Sequence, residues 1–200
     1  MTWNAEIPYN LPPLPIEGVE SVRVLKKLIP AARSLSALNQ VARLLGNQNL
    51  LINLIPILES KSSSEIENIV TTTDALFQHE SDSTNADPAT KEALRYKKAL
   101  LAGFDSIAGE RSRPLNVSTT IEVCRELTAK NIDIRKVTGK NLKNQRTDEV
   151  IYTPPVGENN IRNMLSNWEK YIHDHEVDPL IAMAVAHYQF EAIHPFLDGN

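Results

Sequence analysis

Residues 178–200 read DPLIAMAVAHYQFEAIHPFLDGN, and this stretch carries most of the information about the fold. Asp178 is a favoured N-cap residue and Pro179 suits the first helical position, so the sequence predicts a helix that begins here and runs to Ile193. Apolar residues occupy nearly all sides of this helix, which is typical of a buried helix. We therefore expect a mainly α-helical protein with this helix in its core.

The segment that follows this helix carries groups suited to chemistry on phosphates. His194 can accept a proton near neutral pH, and Asp198 is a hard carboxylate of the kind that Mg²⁺ prefers. Gly199 and Asn200 permit a turn whose amide hydrogens face an anion, and Phe196 can anchor the loop in the core. These are the parts of a phosphoryl- or nucleotidyl-transfer site. The alternative is a capping or packing role for a histidine at a helix end.

The remaining chain is predominantly helical by its apolar spacing. Four prolines in residues 1–16 predict an extended segment that lies over the surface. Pro30 is expected to break or kink the first helix, and the serine-rich residues 59–64 are expected to form a turn. The predicted helices cover residues 17–45, 48–59, 64–79, 88–108, 118–129 and 158–174.

One region differs from this helical pattern. Ile132, Ile134 and Val137 alternate with polar residues, and an apolar run resumes at residues 150–152. Period-two alternation on both sides of a polar, turn-like stretch is typical of paired strands. The sequence therefore predicts a β-hairpin over residues 132–153, between two helical regions.

Composition excludes several classes of protein. Of the 200 residues, 42% are hydrophobic, which suffices for a sizeable core, and the net charge of −4 does not indicate a general nucleic-acid binder. The lone Cys124 suits a reducing compartment and is expected to be buried and structural. The N-terminus lacks a signal-peptide pattern, and the longest apolar run, residues 50–58, is too short to span a bilayer. We predict a cytoplasmic protein with no membrane partner.

The heptapeptide 194–200 resembles the Fic signature, His-x-Phe-x-Asp/Glu-Gly-Asn-Gly-Arg-x-x-Arg, up to its seventh position. The preceding HYQFEAI, the segment 152–155 (YTPP), and the upstream stretches SSSEIENIVTT and EALRYKKAL also resemble Fic proteins. The resemblance implies a helical Fic-type bundle in which the hairpin is the flap. It also implies an N-terminal helical domain over 1–110, with an inhibitory helix at about 64–79, and a Fic core over 111–200. Because the Gly-Arg-x-x-Arg part is absent from these residues, we expect this core to be incomplete at its C-terminal end.

The resemblance implies a protein adenylyltransferase that moves AMP from ATP to a Tyr, Ser or Thr hydroxyl of a target protein. In that role His194 removes the hydroxyl proton, Asp198 holds Mg²⁺, and the target docks on the flap, about 132–153, by strand addition. The residues implied in nucleotide binding are Glu67, His194, Pro195, Phe196, Leu197, Asp198, Gly199 and Asn200.

Residues 63–68, SSEIEN, resemble the inhibitory motif of the family, Ser/Thr-x-x-x-Glu-Gly/Asn. Glu67 is then the inhibitory glutamate, which in the family pairs with the second motif arginine and blocks productive ATP binding. The same residues also form a capping-box pattern, in which Glu67 satisfies the start of its own helix. The two roles do not exclude each other.

Other functions stay open at this point. The same scaffold could transfer another phosphate-containing group or remove AMP, and the 200 residues by themselves are expected to be inactive, as a regulatory fragment would be. The sequence does not name the target protein. Exposed helices leave room for a homodimer.

Overall fold

The computed structural model describes residues 4–46, 49–66, 68–110, 112–137, 141–144, 146–174 and 176–199. Over these ranges the protein is mainly α-helical with one small hairpin, as predicted. No helix in these ranges has an apolar stretch long enough to cross a bilayer. The elements are α1 (Val22–Leu44), α2 (Asn49–Ile66), α3 (Thr73–His79), α4 (Pro88–Ala108), α5 (Val117–Thr128), β1 (Leu142–Lys143), β2 (Val150–Tyr152), α6 (Glu158–His173) and α7 (Pro179–Ile193).

The chain forms two compact units that each draw on more than one stretch of sequence. Unit 1 comprises residues 1–32, 115–117 and 132–200, and unit 2 comprises residues 33–114 and 118–131. Unit 1 therefore contains the hairpin, α6, α7 and the segment that follows α7. The division into domains 1–110 and 111–200 stays a prediction.

The helix pair α6 and α7 forms the centre of unit 1. On α6 the buried residues recur at helical spacing: Ile161, Leu165, Trp168 and Tyr171. The indole N–H of Trp168 donates to the carbonyl oxygen of Ala186 on α7 at 2.9 Å. This hydrogen bond satisfies a buried donor. It also fixes where Trp168 lies along α7, in addition to the packing of the two helices.

The N-terminal segment is part of this unit and adds to its core. Leu11 and Leu14 are both buried. The side-chain amide of Asn167 on α6 accepts from the Leu14 N–H at 2.7 Å and donates to the Leu14 carbonyl at 2.9 Å. The Gln189 amide on α7 donates to the Pro12 carbonyl at 3.0 Å. A proline-rich segment has few backbone N–H groups with which to form regular structure. Side chains of α6 and α7 therefore form the hydrogen bonds that its backbone groups need.

Unit 2 is built around a small apolar cluster from three helices. Ile57 of α2, Leu76 of α3 and Ala93 of α4 are fully buried there. Asp87 caps α4 by accepting from the Thr90 N–H at 3.0 Å, and the Thr90 hydroxyl also lies 2.6 Å from that of Thr71. Cys124 of α5 is buried, as the sequence predicted.

The helix predicted over 64–79 is wrong in its bounds, because α2 ends at Ile66 and α3 begins at Thr73. Asn68 adopts a left-handed backbone (φ 63°), and the Ile69 N–H bonds back to the Ser64 carbonyl at 3.0 Å. This is a helix C-terminal cap, and asparagine tolerates its conformation. Thr72 is extended and accepts from the Ala75 N–H at 3.1 Å, so it starts a new helix.

The turn predicted at residues 59–64 is also wrong, because α2 continues through it. The Ser60 hydroxyl donates to the Ile57 carbonyl at 2.9 Å, and the Ser63 hydroxyl donates to the Glu59 carboxylate at 2.8 Å. Serine favours turns when its hydroxyl competes with the helix backbone, but here both hydroxyls bond within the helix. Pro30 does not break the first helix either, since α1 runs from Val22 to Leu44 with Pro30 inside it, and the alternative of a kink stays a prediction.

The predicted hairpin forms, but its first strand lies elsewhere. β1 is Leu142–Lys143 and pairs antiparallel with β2, whereas residues 132–137 form no strand. The reason is that the Arg135 N–H donates to the Pro195 carbonyl at 2.9 Å, so this backbone bonds to the segment after α7 and not to a strand. The alternation at 132–137 reflects packing, with Ile134 buried and Val137 exposed.

The helix α7 was predicted to be buried, but one of its faces is exposed. Met183 is 63% exposed and Tyr188 is exposed as well. An apolar groove of about 590 Å³ runs between this face and residues 16–31 of the same unit. The described residues of unit 1 therefore cover only the side of α7 that faces α6 and the N-terminal segment.

Candidate active site

The candidate proton acceptor, His194, lies directly after the C-terminal end of α7. Its backbone is left-handed (φ 49°, ψ 62°), and its N–H donates to the Phe190 carbonyl at 3.0 Å. A left-handed conformation costs a residue other than glycine about 1–2 kcal/mol. Neighbouring contacts must therefore hold His194 in this geometry.

The next two residues anchor the segment in the core. Pro195 is fully buried, and Phe196 is 1% exposed. The Phe196 ring lies 6.2 Å from that of Phe190, which in turn lies 5.3 Å from Trp168, centroid to centroid, with tilted planes. Aromatic pairs at such distances and angles are favourable beyond their burial. The predicted burial of Phe196 in the core is confirmed.

Side chains from two other segments cover the carbonyl oxygens at this end of α7. The Tyr152 hydroxyl, from β2, donates to the Ala192 carbonyl at 2.7 Å. The Arg135 guanidinium donates to the His194 carbonyl at 2.7 Å and to the Ile193 carbonyl at 3.2 Å. The last carbonyls of a helix have no partner within it and carry partial negative charge, so these donors stabilise the end of α7.

Burial changes the acid–base properties of both donors. It raises the pKa of Tyr152 to about 12, with smaller contributions from Tyr188 and Tyr9 that raise it further and one from Arg135 that lowers it. Burial also lowers the pKa of the Arg135 guanidinium. A guanidinium is nevertheless always protonated in proteins. At neutral pH both groups therefore remain hydrogen-bond donors.

The polar groups of the motif lie on the accessible part of the segment. His194 is half-buried, whereas Leu197 and Asp198 are exposed, and Gly199 takes a positive φ of 71°. Pro195 and Phe196, which are both buried, thus fix the segment to the core between the imidazole and the carboxylate. Such rigidity is what a proton acceptor needs, because misplacement by about 1 Å can cost two orders of magnitude in rate.

Two of the predicted binding residues, Glu67 and Asn200, lie outside the described residues. The side chains of Pro195 and Phe196 are buried in the core, so any contact they make with a nucleotide would come from their backbone. Leu197, Asp198 and Gly199 are accessible. The roles of all eight residues in binding stay predictions.

Asp198 is the predicted ligand for Mg²⁺. Within the described part of the chain, no cluster of three or more His, Cys, Asp or Glu side chains could hold a metal ion by itself. Mg²⁺ is commonly held by one or two carboxylates together with phosphate oxygens of the substrate. The exposed Asp198 therefore fits an ion that arrives with a nucleotide.

The hairpin belongs to the same unit as the motif and joins it through Tyr152. Leu142 pairs with Tyr152 and Lys143 with Val150, with an irregularity between them. Asn144 donates to the Glu149 carbonyl at 2.9 Å, and the Lys143 ammonium lies 3.0 Å from the Asp148 carboxylate. Ile151 of β2 is 53% exposed. The hairpin therefore exposes the apolar side chain of Ile151, while Tyr152, the last residue of β2, contacts α7.

Arg135 and Tyr152 were missed as supporting residues by the sequence reasoning. The available signal was Arg135 itself, a charged residue directly after Ile134 in an alternating apolar pattern. It is 2% exposed. Arginine is rarely buried to this degree unless its donors are satisfied, which points to a structural task.

Two family models match the chain. The model described as Fic/DOC family N-terminal matches residues 25–105, and the model described as Fic/DOC family matches residues 114–200. The second match contains the hairpin, α6, α7 and the motif. Together the two matches cover most of the chain. The chain belongs to the Fic/DOC family, whose enzymes generally transfer phosphate-containing groups.

Proposed function

We propose that this protein is an adenylyltransferase that moves AMP from ATP to a Tyr, Ser or Thr hydroxyl of a target protein, and that Glu67 inhibits this reaction. The main support for the proposal is the arrangement of side chains in the segment after α7. There a half-buried histidine in a strained, supported backbone is followed four residues later by an exposed aspartate. The match of residues 114–200 to the Fic/DOC family supports it.

In the proposed reaction, the His194 imidazole takes the proton of the target hydroxyl. The hydroxyl oxygen then forms a bond to the α-phosphorus of ATP, and the bond from that phosphorus to the bridging oxygen of the β-phosphate breaks. Pyrophosphate leaves with the electron pair of that bond. Such transfers depend mainly on alignment and charge neutralisation, so the fixed position of His194 is the contribution that matters most.

Asp198 has the chemistry to hold Mg²⁺ together with phosphate oxygens. When bound, the ion supplies neutralisation of the phosphate charge. Gly199 and Asn200 follow as residues whose backbone amides can face an anion. These three residues therefore have a role in binding, while His194 acts on the proton.

The hairpin is the proposed docking site for the target backbone. Each of its strands pairs on one edge only among the described residues, which leaves the other edge able to add a strand. Exposed Ile151 adds an apolar contact for a target side chain. Tyr152 connects this hairpin to α7 through the Ala192 carbonyl, so a docked hydroxyl lies in the same unit as His194.

The test uses the product of the complete gene, with the 200-residue chain assayed beside it. The protein is incubated with ATP that is labelled on the α-phosphate, or separately on the γ-phosphate, and with a lysate as the source of targets. We expect label on protein only from the α position, and a mass increase of the modified protein equal to AMP. His194→Ala is expected to abolish labelling.

His187→Ala is the matched control, because His187 is an exposed histidine on α7, which precedes the motif. It is expected to retain labelling. Transfer of the γ label, or a mass increase of another group, would contradict AMP transfer while leaving group transfer intact. Equal labelling by the wild type and His194→Ala would contradict the assigned role of the imidazole.

A further inference from the structure

The end of α7 lacks the backbone donor that usually completes a helix cap. His194 occupies the left-handed position and bonds to Phe190, but the next residue is Pro195, which has no N–H. In a common C-terminal cap, that next N–H would return to a carbonyl of the last turn. The carbonyls near His194 therefore depend on donors from elsewhere in the fold.

Arg135 supplies most of these donors. Its Nε donates to the His194 carbonyl at 2.7 Å, and one terminal nitrogen donates to the Ile193 carbonyl at 3.2 Å. Its backbone N–H donates to the Pro195 carbonyl at 2.9 Å. Tyr152 covers the preceding carbonyl, that of Ala192, at 2.7 Å. Four consecutive carbonyls, from Ala192 to Pro195, are thus held by two residues.

The same guanidinium also reaches the segment that follows the hairpin. Its terminal nitrogen donates to the Pro155 carbonyl at 2.5 Å. Arg135 therefore connects residues 153–155, directly after β2, with the residue that carries the imidazole. A planar guanidinium can serve several carbonyls at fixed angles, which an ammonium group on a flexible chain cannot do equally well.

The chemistry around Arg135 argues against a surface ion pair. The side chain is buried, and its hydrogen bonds to the described residues go to backbone carbonyl oxygens and not to a carboxylate. Burying a cation is costly unless its donors are satisfied. A hydrophobic residue could fill the same space but would not donate to the carbonyls of Ile193 and His194. The presence of a buried positive charge at Arg135 is therefore explained by the carbonyl oxygens at the strained end of α7, to which the guanidinium donates.

We infer that Arg135 is a positioning residue for the proposed reaction: it holds His194 in its left-handed conformation and so sets the place of the imidazole. The inference rests on the proposed function, but it concerns a residue outside the motif. The hydrogen bonds of the Arg135 guanidinium to the described residues go to backbone carbonyls, so its role in the inference is to position His194 and not to act on the substrate. Its loss is expected to slow the reaction more than it weakens the binding of ATP.

The first experiment compares kinetics of the complete gene product with those of Arg135→Lys and Arg135→Met. We expect kcat for AMP transfer to fall about tenfold in the lysine variant and about a hundredfold in the methionine variant, because small displacements of a reacting group have effects of this size. The KM for ATP is expected to stay within about threefold, since binding groups outside this cap remain. Arg162→Lys, at an exposed ion pair with Glu158, is the matched control and is expected to change neither value.

The second experiment does not depend on activity. NMR spectra of ¹⁵N-labelled wild-type protein and of Arg135→Lys report the backbone amide of His194 and its ring. We expect these signals to shift or broaden in Arg135→Lys and to stay unchanged in Arg162→Lys. If the wild type proves inactive, the proposed function fails, and this measurement still tests the role of Arg135.

Three results would overturn the inference. The first is a lysine variant with unchanged kcat and unchanged His194 signals. The second is a rise in the KM for ATP with unchanged kcat, which would make Arg135 a binding residue. The third is unfolding of both variants by circular dichroism, which would make Arg135 a residue of general stability.

Discussion

The hydroxyl of Tyr152 donates a 2.7 Å hydrogen bond to the backbone carbonyl of Ala192, two residues before the histidine of the motif. This bond joins the end of the hairpin to the end of α7 across 40 positions of sequence. Its donor is a phenol whose pKa burial raises to about 12. The free energy of unfolding is therefore expected to depend on pH in the range where this phenol ionises.

We expect Tyr152 to make the protein less stable in alkali. An unfolded tyrosine ionises near pH 10, so between about pH 10 and 12 the unfolded state loses this proton before the folded state does. The stabilisation from this group is complete below about pH 10 and is lost as the pH rises through about 12. Urea unfolding over a series of alkaline pH values measures this slope.

Tyr152→Phe should remove the part of the alkaline pH dependence that comes from this phenol. At neutral pH it should lower the free energy of unfolding by about 1 kcal/mol, because the hydrogen bond is lost. Tyr96→Phe, at a half-buried tyrosine of unit 2, is the control variant. An alkaline slope that is the same in wild type and Tyr152→Phe would show that this phenol has no such effect.

Phe196 is expected to be the main apolar anchor of the motif. Phe196→Ala should lower the free energy of unfolding by about 3–5 kcal/mol, because it removes a fully buried ring and its contact with Phe190. Denaturant titration followed by circular dichroism measures the change. The neighbouring Leu197→Ala removes an exposed side chain and should stay within about 0.5 kcal/mol. A similar loss of unfolding free energy in both variants would contradict the role of Phe196 as the main apolar anchor.

Asn167 is expected to hold the N-terminal segment on unit 1. Asn167→Ala leaves both the N–H and the carbonyl of the buried Leu14 without their partner, which should cost about 1–3 kcal/mol. Hydrogen exchange at Leu14 should accelerate, and proteolysis within residues 4–16 should become faster. Asn163→Ala, an exposed position on the same helix, should change neither rate. Unchanged protection at Leu14 in the Asn167 variant would contradict this role.

Glu67 is proposed to restrain the reaction. Glu67→Gly in the complete gene product should raise the rate of AMP transfer by about fivefold or more, which is the usual range for a coupled inhibitory element. Glu65→Gly places a glycine in the last turn of α2 and loses the ion pair with Lys61, so it controls for destabilisation of that helix. If both variants raise the rate equally, the effect lies in the helix and not in the Glu67 carboxylate.

Some elements could be predicted from sequence because their signals are local. Asp178 and Pro179 define the start of α7, and Asp87 and Pro88 do the same for α4, since a cap needs only residues within one turn. Serine-rich α2 was misjudged for the opposite reason. Whether a serine hydroxyl ends a helix or bonds within it depends on neighbours that propensity does not specify.

The sequence by itself determined the chemistry of the motif and the helix that presents it: an imidazole and a carboxylate four residues apart, after a helix with clear boundaries. Only the tertiary structure decided what holds that imidazole in place. Arg135 lies 59 positions before His194, and its guanidinium becomes a cap only when the chain brings the two together. A proline after His194 removes the local donor, so the backbone there depends on a distant residue, and such a dependence has no periodic or short-range signal in sequence.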